Sequence, residues 1–249
     1  MLPAFAALPT SLAQMKYTDT LGDSKDCAWQ RHTQNPDSFF EWLNKNEAFT
    51  AKYHDTMAEM NMGKPDWTEV FPVEQMTHQT KEGRVMLIDL GGGQGRDLEK
   101  FRKKFPDFAP GSLVLQDTRA CLKSADVHPD IKKMEHDFFK PQPIKGARAY
   151  FMHLVLHDWP DAEAVKILRN IAEAMERGYS KLLVYDAVIA FGDTRPDPTS
   201  VDLTMMFAVG AAERTEAAWK SIMKEAGLAV TKIWSLPEAT ESVIEIELA

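Results

Sequence analysis

From residue 85 to the end of the chain, short apolar runs alternate with longer segments in which apolar residues recur at helical spacing. The short runs predict seven β-strands, at residues 85–89, 113–116, 132–136, 147–154, 181–189, 229–234 and 243–247. The segments between them predict helices at residues 95–105, 119–125, 161–177, 198–209 and 216–226. This alternation is typical of a parallel sheet with helices on both faces. The last two strands are joined by SLPEATES, which is too short for a crossover helix, so we expect them to pair antiparallel.

The first 80 residues have a different pattern, with aromatic residues in helical segments such as FFEWLNKNEAFTAKYHDTMAEM and no strand-like run. The apolar start, MLPAFAALPTSLAQMKY, lacks the basic leading segment of a signal peptide. We interpret it as part of a helix that packs against the rest of the chain. The pattern therefore predicts an α/β domain at residues 81–249, preceded by a small helical segment at residues 1–80.

A glycine-rich turn follows the first predicted strand, in VMLIDLGGGQGRDLEKF. No Lys-Ser or Lys-Thr follows the glycines, which excludes a P-loop, and positions 96 and 98 lack the glycine of a dinucleotide fingerprint. The spacing that fits is acid-x-Gly-x-Gly-x-Gly, formed by Asp89, Gly91, Gly93 and Gly95. It resembles motif I of the S-adenosylmethionine (SAM)-dependent methyltransferases, whose ligand is cationic and is favoured by a nearby acid. Glycine-rich turns also occur without a ligand, so the turn alone leaves both interpretations open.

Acidic residues also follow the next two predicted strands, at the sheet edge where ligands bind. Asp117 ends the second strand, where a carboxylate could accept hydrogen bonds from both ribose hydroxyls of a nucleoside. The alternative for Asp117 is a helix cap before TRACL. After the third strand, Asp137 could accept from an adenine amino group and Phe138 could pack against the ring. Together with Asp89, these acids predict an adenosyl pocket.

His157 lies between the fourth predicted strand and a helix, in YFMHLVLHDWPDAEAVKIL. The proline and the acids after it are typical of the first turn of a helix, so His157 is expected at the ligand-binding edge. Imidazole is the side chain best suited to take a proton near neutral pH. His153, inside the strand, is predicted to be structural. The histidines and acids have no spacing typical of a metal site, so we predict no metal.

Five segments, in this order, carry a family resemblance: LIDLGGGQGRDLEKFRKKFP, LVLQD, HDFFKPQPIKGARAYFMHLVLHDWPD, KLLVYDAVI and ERTEAAWKSIMKEAGL. They resemble the small-molecule O-methyltransferases of the caffeate and flavonoid type, in particular their fungal secondary-metabolite branch. The resemblance implies a Rossmann-like class I methyltransferase fold and SAM as the cofactor. It also implies that His157 is the general base, supported by Glu213 and by Asp186, where the family more usually has glutamate.

The same resemblance implies an acceptor pocket beside the segment that precedes the ERT motif. We expect Met205, Met206 and Phe207, together with Trp159 of the HDW motif, to contact the substrate, because methionine packs well on flat rings. The alternative for the Met-Met-Phe run is a place in the core. Family members usually begin with a winged-helix domain that dimerises, and this chain starts at what would be its end. Residues 1–80 are therefore expected to form a wall of the substrate pocket and the remnant of a linker to that domain, with a homodimer possible.

Charge and cysteine content narrow the classes of function. The net charge of −8 argues against a nucleic-acid partner. No apolar run approaches the roughly 20 residues of a membrane span, and two distant cysteines, Cys27 and Cys121, indicate a reducing compartment, so we predict a cytoplasmic protein. The predicted function is O-methylation of a phenolic or enolic hydroxyl on a small secondary metabolite. Non-methylating chemistry of a pericyclic or similar kind, and a non-catalytic partner subunit, are the alternatives.

Overall fold

The computed structural model describes residues 2–14, 16–17, 22–78, 80–190, 192, 195–237 and 239–249. The helices in these ranges are α1 (Leu2–Gln14), α2 (Ala28–Thr33), α3 (Phe39–Asn44), α4 (Glu47–Met60), α5 (Trp67–Val70), α6 (Glu74–Thr77), α7 (Arg96–Lys104), α8 (Arg119–Ser124), α9 (Asp161–Ala172), α10 (Pro196–Val209) and α11 (Glu216–Glu225). The strands are β1 (Leu87–Leu90), β2 (Leu113–Asp117), β3 (Ile131–Glu135), β4 (Ala149–His153), β5 (Lys181–Ile189), β6 (Arg214–Thr215), β7 (Leu228–Ser235) and β8 (Glu241–Leu248). Every strand and helix predicted after residue 85 is present.

The main path of the sheet has the strand order β3-β2-β1-β4-β5-β8-β7. The first five of these strands pair in parallel, whereas β8 pairs antiparallel with both β5 and β7. The predicted antiparallel pairing of the last two strands is confirmed. Because β1 and β4 are neighbours, the glycine turn after β1 and the loop that carries His157 after β4 lie side by side. Ligands bind at this edge in sheets of this kind.

Both faces of the sheet are buried under helices. Alternate residues of a strand point to opposite faces, so Ile88 joins one apolar cluster with Trp219 of α11, and Leu87 joins the other with Trp67 of α5. All four side chains are at most 1% exposed. Full burial of such a side chain stabilises the fold by about 1.5–3 kcal/mol. The sheet is therefore a rigid support for the loops at its edge.

The N-terminal helices share a third core with α10. Trp29 of α2 and Phe39 and Leu43 of α3 pack with Phe207 and Val209 of α10. Helix α1 contacts α2 and α10, which confirms that the first helix packs on the rest of the chain. Through α10, the helical segment is joined to the α/β part of the protein.

Apart from shifts of one or two residues at the ends of elements, the structure differs from the predicted elements in two main respects. Helix α9 ends at Ala172, not at residue 177. The carbonyl of Ala174 accepts from the N–H of Gly146 at 2.8 Å and from the hydroxyl of Tyr150 at 2.9 Å, so tertiary hydrogen bonds replace a further helical turn. The second difference is the unpredicted strand β6, which pairs with β5 at Val188. Two residues are too few to leave a hydrophobic pattern.

Both cysteines, Cys27 and Cys121, are buried and are thiols rather than members of a disulfide. Burial raises the pKa of each thiol, which keeps both uncharged near neutral pH. None of the helices in the described ranges has the length and apolar character that crossing a membrane requires.

Candidate functional site

The glycine turn after β1 bends the chain through three left-handed residues. The φ angles are 70° at Gly91, 60° at Gly93 and 76° at Gly95, a region that favours glycine. The N–H of Gly91 donates to the backbone carbonyl of Gln116 at 2.8 Å, which ties the turn to β2. A Cβ atom on Gly95 would lie 2.5 Å from Cγ1 of Val127. The turn therefore needs glycine for its backbone conformation and, at Gly95, for close packing.

Asp89 lies against this turn with its side chain fully buried. Neither carboxyl oxygen has a hydrogen-bond partner among the described residues, and burial raises the pKa of Asp89 well above its usual value. A Cβ atom on Gly92 would lie 2.3 Å from the carboxyl group of Asp89. The carboxyl group of Asp89 thus lies beside the turn, and its contact with the cationic part of a ligand stays a prediction. Gly92 was not predicted as a site residue, although its position inside the three-glycine run was a signal for it.

Asp117 reaches from the end of β2 to the glycine turn. Its Oδ2 atom accepts from the N–H of Gly93 at 2.9 Å, and its Oδ1 atom accepts from the N–H of Thr118 at 2.6 Å. The N-cap residue of α8 is Thr118, whose hydroxyl accepts from the N–H of Cys121, so the helix-cap alternative for Asp117 is wrong. The carboxylate instead lies beside the glycine turn.

Phe138 and Trp159 form an aromatic wall next to the turn. The Phe138 ring lies 3.5 Å from the position of a Cβ atom on Gly91, and its centroid is 5.8 Å from that of Trp159. Trp159 also packs on Phe40 of α3 at 5.5 Å. Asp137 is exposed, and its Oδ1 atom accepts a backbone N–H two residues further along at 2.9 Å. The structure thus brings Phe138 and Trp159 together, whereas the hydrogen bond of Asp137 lies within its own loop.

His157 lies in a short 3-10 helical turn, Leu156–Asp158, that follows β4. The chain leaves β4 through Leu154, whose φ of 51° is left-handed and strained for leucine. The N–H of Asp158 donates to the carbonyl of Val155 at 3.2 Å and helps to close the turn. Strain of this kind persists only where the surrounding structure holds it, and it is common at functional sites.

Two carboxylates face the Nδ1 atom of His157, and a third faces Nε2. Nδ1 lies 2.7 Å from Oε1 of Glu213 and 3.7 Å from Oδ1 of Asp186. Nε2 lies 3.6 Å from Oδ1 of Asp158. All four side chains are buried. The structure therefore brings together the three residues predicted for catalysis and adds Asp158, which was not predicted although it stands in the HDW motif.

The surrounding carboxylates hold a proton on His157. Burial alone lowers the pKa of an imidazole, but the charges of Asp186 and Asp158 and the hydrogen bond with Glu213 raise the pKa of His157 to about 10. Burial raises the pKa of Asp158 to about 7 and that of Asp186 to about 6. The bond with Glu213 makes Nδ1 the donor and leaves Nε2 for the acceptor side.

The predicted substrate residues on α10 lie close to this cluster but largely in packing contacts. Phe207 is 1% exposed and belongs to the third core, and Met205 packs against the same core. Met206 is half-buried and lines a small cleft with α1 and α2. Asp202 of α10 accepts the N–H of Glu213 at 2.9 Å, which joins the helix to the histidine cluster. The structure favours the core alternative for Phe207.

His153, predicted to be structural, belongs to a separate ion-pair network at the end of β4. Its Nδ1 atom lies 2.8 Å from Oδ2 of Asp97, and its Nε2 atom lies 3.5 Å from Oε2 of Glu241. Although burial lowers it, these carboxylates raise the pKa of His153 to about 10. Lys64 pairs with Glu241 at 2.6 Å, so the network connects α7, β4, β8 and the segment after α4. This placement agrees with a structural role.

The His157 cluster is also a set of donors that could hold a metal ion. Within the part of the chain that the structure describes, one ligand atom each from His157, Asp186 and Glu213 lies within 4.8 Å of the others. Imidazole nitrogen and carboxylate oxygen are common ligands of zinc. In this arrangement, however, Nδ1 already makes a hydrogen bond with Glu213. The expectation of no metal stays a prediction.

We compared the chain with known proteins. The family described as O-methyltransferase domain matches residues 15–229. O-methyltransferase ATR12 of Stachybotrys chlorohalonatus is 38% identical over 245 residues, which are 98% of this chain and 62% of the relative. The chain thus spans about three fifths of the length of the curated relatives it matches.

Solved structures of similar proteins have the same fold. A pericyclic reaction enzyme matches with a TM-score of 0.89 at 30% identity, covering 100% of this chain and 64% of that chain. OxaC in complex with SAH and oxaline matches with a TM-score of 0.88 at 26% identity, covering 99% of this chain and 63% of that chain. The predicted Rossmann-like fold, with its mostly parallel sheet and antiparallel C-terminal hairpin, is confirmed.

Proposed function

Since the chain belongs to the O-methyltransferase domain family, we propose that it transfers the methyl group of SAM to a phenolic or enolic hydroxyl of a small secondary metabolite. The observation that carries this proposal is the buried pair of His157 and Glu213, 2.7 Å apart, beside the glycine turn. A positioned base next to a cofactor turn is what methylation of a weakly acidic hydroxyl requires.

The residues at the glycine turn fit SAM. Asp89 offers two carboxyl oxygens that have no partner among the described residues, and a bound cationic ligand would favour the ionised form that burial alone disfavours. The three left-handed glycines let the backbone approach the ligand closely. Asp117 would hold the ribose hydroxyls, and Phe138 would pack against adenine, with Asp137 as the candidate acceptor for the adenine amino group.

Methyl transfer at this site needs the acceptor hydroxyl to lose its proton. When bound, SAM supplies an electrophilic methyl carbon on a sulfonium, whose positive charge also disfavours the protonated form of a neighbouring histidine. His157 takes the acceptor proton at Nε2, because a phenol with a pKa of about 10 is a poor nucleophile before it ionises. Glu213 orients the ring and stabilises its protonated form, and Asp186 adds negative charge on the same side. Asp158 faces Nε2 and therefore the acceptor.

We assign residues 1–80 to the wall of the acceptor pocket. The contact between Phe40 and Trp159 at 5.5 Å supports this assignment, because it brings α3 against the residue that follows the His157 turn. Met205 and Met206 would complete the wall from α10. A small-molecule acceptor agrees with the relatives of the chain, whereas a homodimer, a cytoplasmic location and the lack of a nucleic-acid partner stay predictions.

Incubation with methyl-labelled SAM and a panel of phenols tests the proposed activity. We expect labelled product and S-adenosylhomocysteine (SAH) to form in equal amounts. The second candidate function is non-methylating chemistry, and the similarity to a pericyclic reaction enzyme favours it. Conversion of a substrate in the presence of SAM without formation of SAH would support that second candidate and contradict methyl transfer.

The first prediction concerns pH. Only the neutral ring can accept a proton, and the pKa of His157 in the free enzyme is raised to about 10. We therefore expect kcat/KM, which follows the ionisation of the free enzyme, to rise with pH between about pH 6 and 10. Asp186→Asn removes a neighbouring negative charge, so the pKa of His157 should fall and the rise should shift to lower pH by roughly one unit or more.

The pH profiles of wild type and Asp186→Asn are compared with one acceptor, so that its own ionisation is common to both. Asp107→Asn, at an exposed aspartate, is the matched control and should keep the wild-type profile. An unshifted profile in Asp186→Asn would contradict the role given to this carboxylate.

The second prediction concerns the ribose. Asp117→Ala removes the acceptor of two hydroxyls and should weaken SAM and SAH alike by about 10-fold to 100-fold, since a hydrogen bond to a charged group contributes about 1.5–3 kcal/mol. Asp117→Asn keeps one oxygen and should lie between this variant and wild type. Calorimetric titration measures both affinities, with Asp126→Asn as an exposed control. Wild-type affinity in Asp117→Ala would mean that Asp117 only holds the glycine turn.

A further inference from the structure

Arg214 is a buried arginine next to Glu213, and none of the steps of methyl transfer uses it. It is 4% exposed. Its Nη1 atom donates to the carbonyl of Leu156 at 2.8 Å, and its Nη2 atom donates to the carbonyl of Trp159 at 2.7 Å. These carbonyls come immediately before and two residues after His157. The guanidinium therefore spans the turn that carries the histidine.

The surroundings of Arg214 hold it firmly. Its backbone pairs with Val188 of β5. The Trp219 ring lies 5.1 Å from its Cζ atom, and Trp219 is itself fixed by an indole N–H that donates to the carbonyl of Ala187 at 2.9 Å. On the outer side, Nε donates to Oδ1 of Asp161 at 2.9 Å. The planar guanidinium group of arginine donates hydrogen bonds to several acceptors at once, which the single ammonium group of lysine cannot do in the same geometry.

Glu213 and Arg214 thus hold two different parts of the same residue. Glu213 binds the ring of His157 through Nδ1, and Arg214 binds the backbone on either side of it. The direction of Nε2 depends on both the ring rotation and the backbone of the turn. We propose that Arg214 is the positioning residue of His157, which fixes the turn so that Nε2 meets the acceptor hydroxyl. This inference rests on the proposed function, because it gives Nε2 the role of base.

Arg214→Gln is expected to lower kcat by about 100-fold, since a misplacement of about 1 Å costs a factor of that size. SAM affinity should not change, because the hydrogen bonds of Arg214 go to Leu156, Trp159 and Asp161 and not to the glycine turn. Arg214→Lys keeps the positive charge but not the bridge between two carbonyls, and its kcat should be intermediate. Arg169→Gln is the matched control: Arg169 is exposed, donates to the carbonyl of Glu225 at 3.2 Å, and should be replaceable without loss of kcat.

Two further measurements separate positioning from general stability. In Arg214→Ala, guanidinium at millimolar concentration should restore part of kcat, whereas ammonium, which lacks the planar fork, should not. In nitrogen-labelled protein without substrate, the ring signals of His157 should report a fixed hydrogen bond at Nδ1 in wild type and a weakened one in Arg214→Gln.

The possible outcomes are distinguishable. If wild type methylates no acceptor, the proposed function fails, and the His157 ring signals still decide whether Arg214 orders the turn. Wild-type kcat with unchanged ring signals in Arg214→Gln overturns the inference. A parallel fall of kcat and SAM affinity also overturns it, because that pattern indicates general loss of structure. If Arg214→Gln does not fold, Arg214→Lys carries the same comparison.

Discussion

Replacing His157 with alanine is expected to lower the rate of methyl transfer by about 10²–10⁴-fold, the usual cost of losing a general base, while SAM binding survives. The reason is location. Asp89 and Asp117 lie at the glycine turn, whereas His157 lies after the neighbouring strand, bound to Glu213 on the side away from the acceptor. Removal of the ring therefore takes away the proton acceptor without touching the cofactor side.

Turnover and SAM affinity are to be measured on the same His157→Ala preparation, across about pH 6 to 9. The remaining rate of His157→Ala should itself rise with pH, because spontaneous ionisation of the phenol replaces the missing base. His128→Ala, at a partly exposed histidine, is the control and should keep wild-type turnover. Wild-type turnover in His157→Ala at pH 7 on a phenolic acceptor would show that His157 is not the base.

Replacing Gly92 with alanine is expected to weaken cofactor binding strongly. The new Cβ atom would lie 2.3 Å from the carboxyl group of Asp89, which is fully buried, so this carboxyl group or the turn has to shift. Gly92 does not have a positive φ, so the cost comes from this collision and not from backbone strain. Overpacking of this kind costs about 1–3 kcal/mol, which corresponds to roughly 5-fold to 150-fold in SAM affinity if Asp89 moves from its place.

Gly111→Ala is the matched control for this variant. Gly111 has a φ of 78°, and a Cβ atom there would meet nothing within 4 Å. It should therefore lose some stability through backbone strain, about 1 kcal/mol, and keep wild-type SAM affinity. Calorimetric titration with SAM and thermal unfolding of both variants give the comparison. Wild-type SAM affinity in Gly92→Ala would contradict the place of Asp89 beside the ligand.

The central strands of the sheet could be predicted because they are mostly apolar, are buried on both faces and are separated by helical segments. The run from Leu87 to Leu90 shows this well, since every residue in it is buried. The end of α9 could not be predicted, because the carbonyl of Ala174 accepts hydrogen bonds from Gly146 and Tyr150, which are distant in sequence. Local pattern contains no information about such tertiary hydrogen bonds.

The same limit applies to the site. His157 could be recognised from its position after a strand and from the HDW motif. Arg214 could not, because its effect depends on two carbonyls more than 50 residues away, those of Leu156 and Trp159. Phe207 was predicted at the substrate from its place beside the ERT motif, but helical geometry turns its ring into the core that α10 shares with α2 and α3. A sequence pattern predicts the secondary-structure element, whereas tertiary packing determines the direction of each side chain.

Equilibrium dialysis of the wild-type chain against labelled SAM tests the central claim most directly, because the glycine turn, Asp89, Asp117 and the action of His157 all depend on this cofactor. We predict one SAM bound per chain with a micromolar Kd, a binding free energy of about −8 kcal/mol, and displacement by SAH. At about 1 mM SAM, even a binding free energy of about −4 kcal/mol would be detected. If the protein retains no label at this concentration, the account is contradicted.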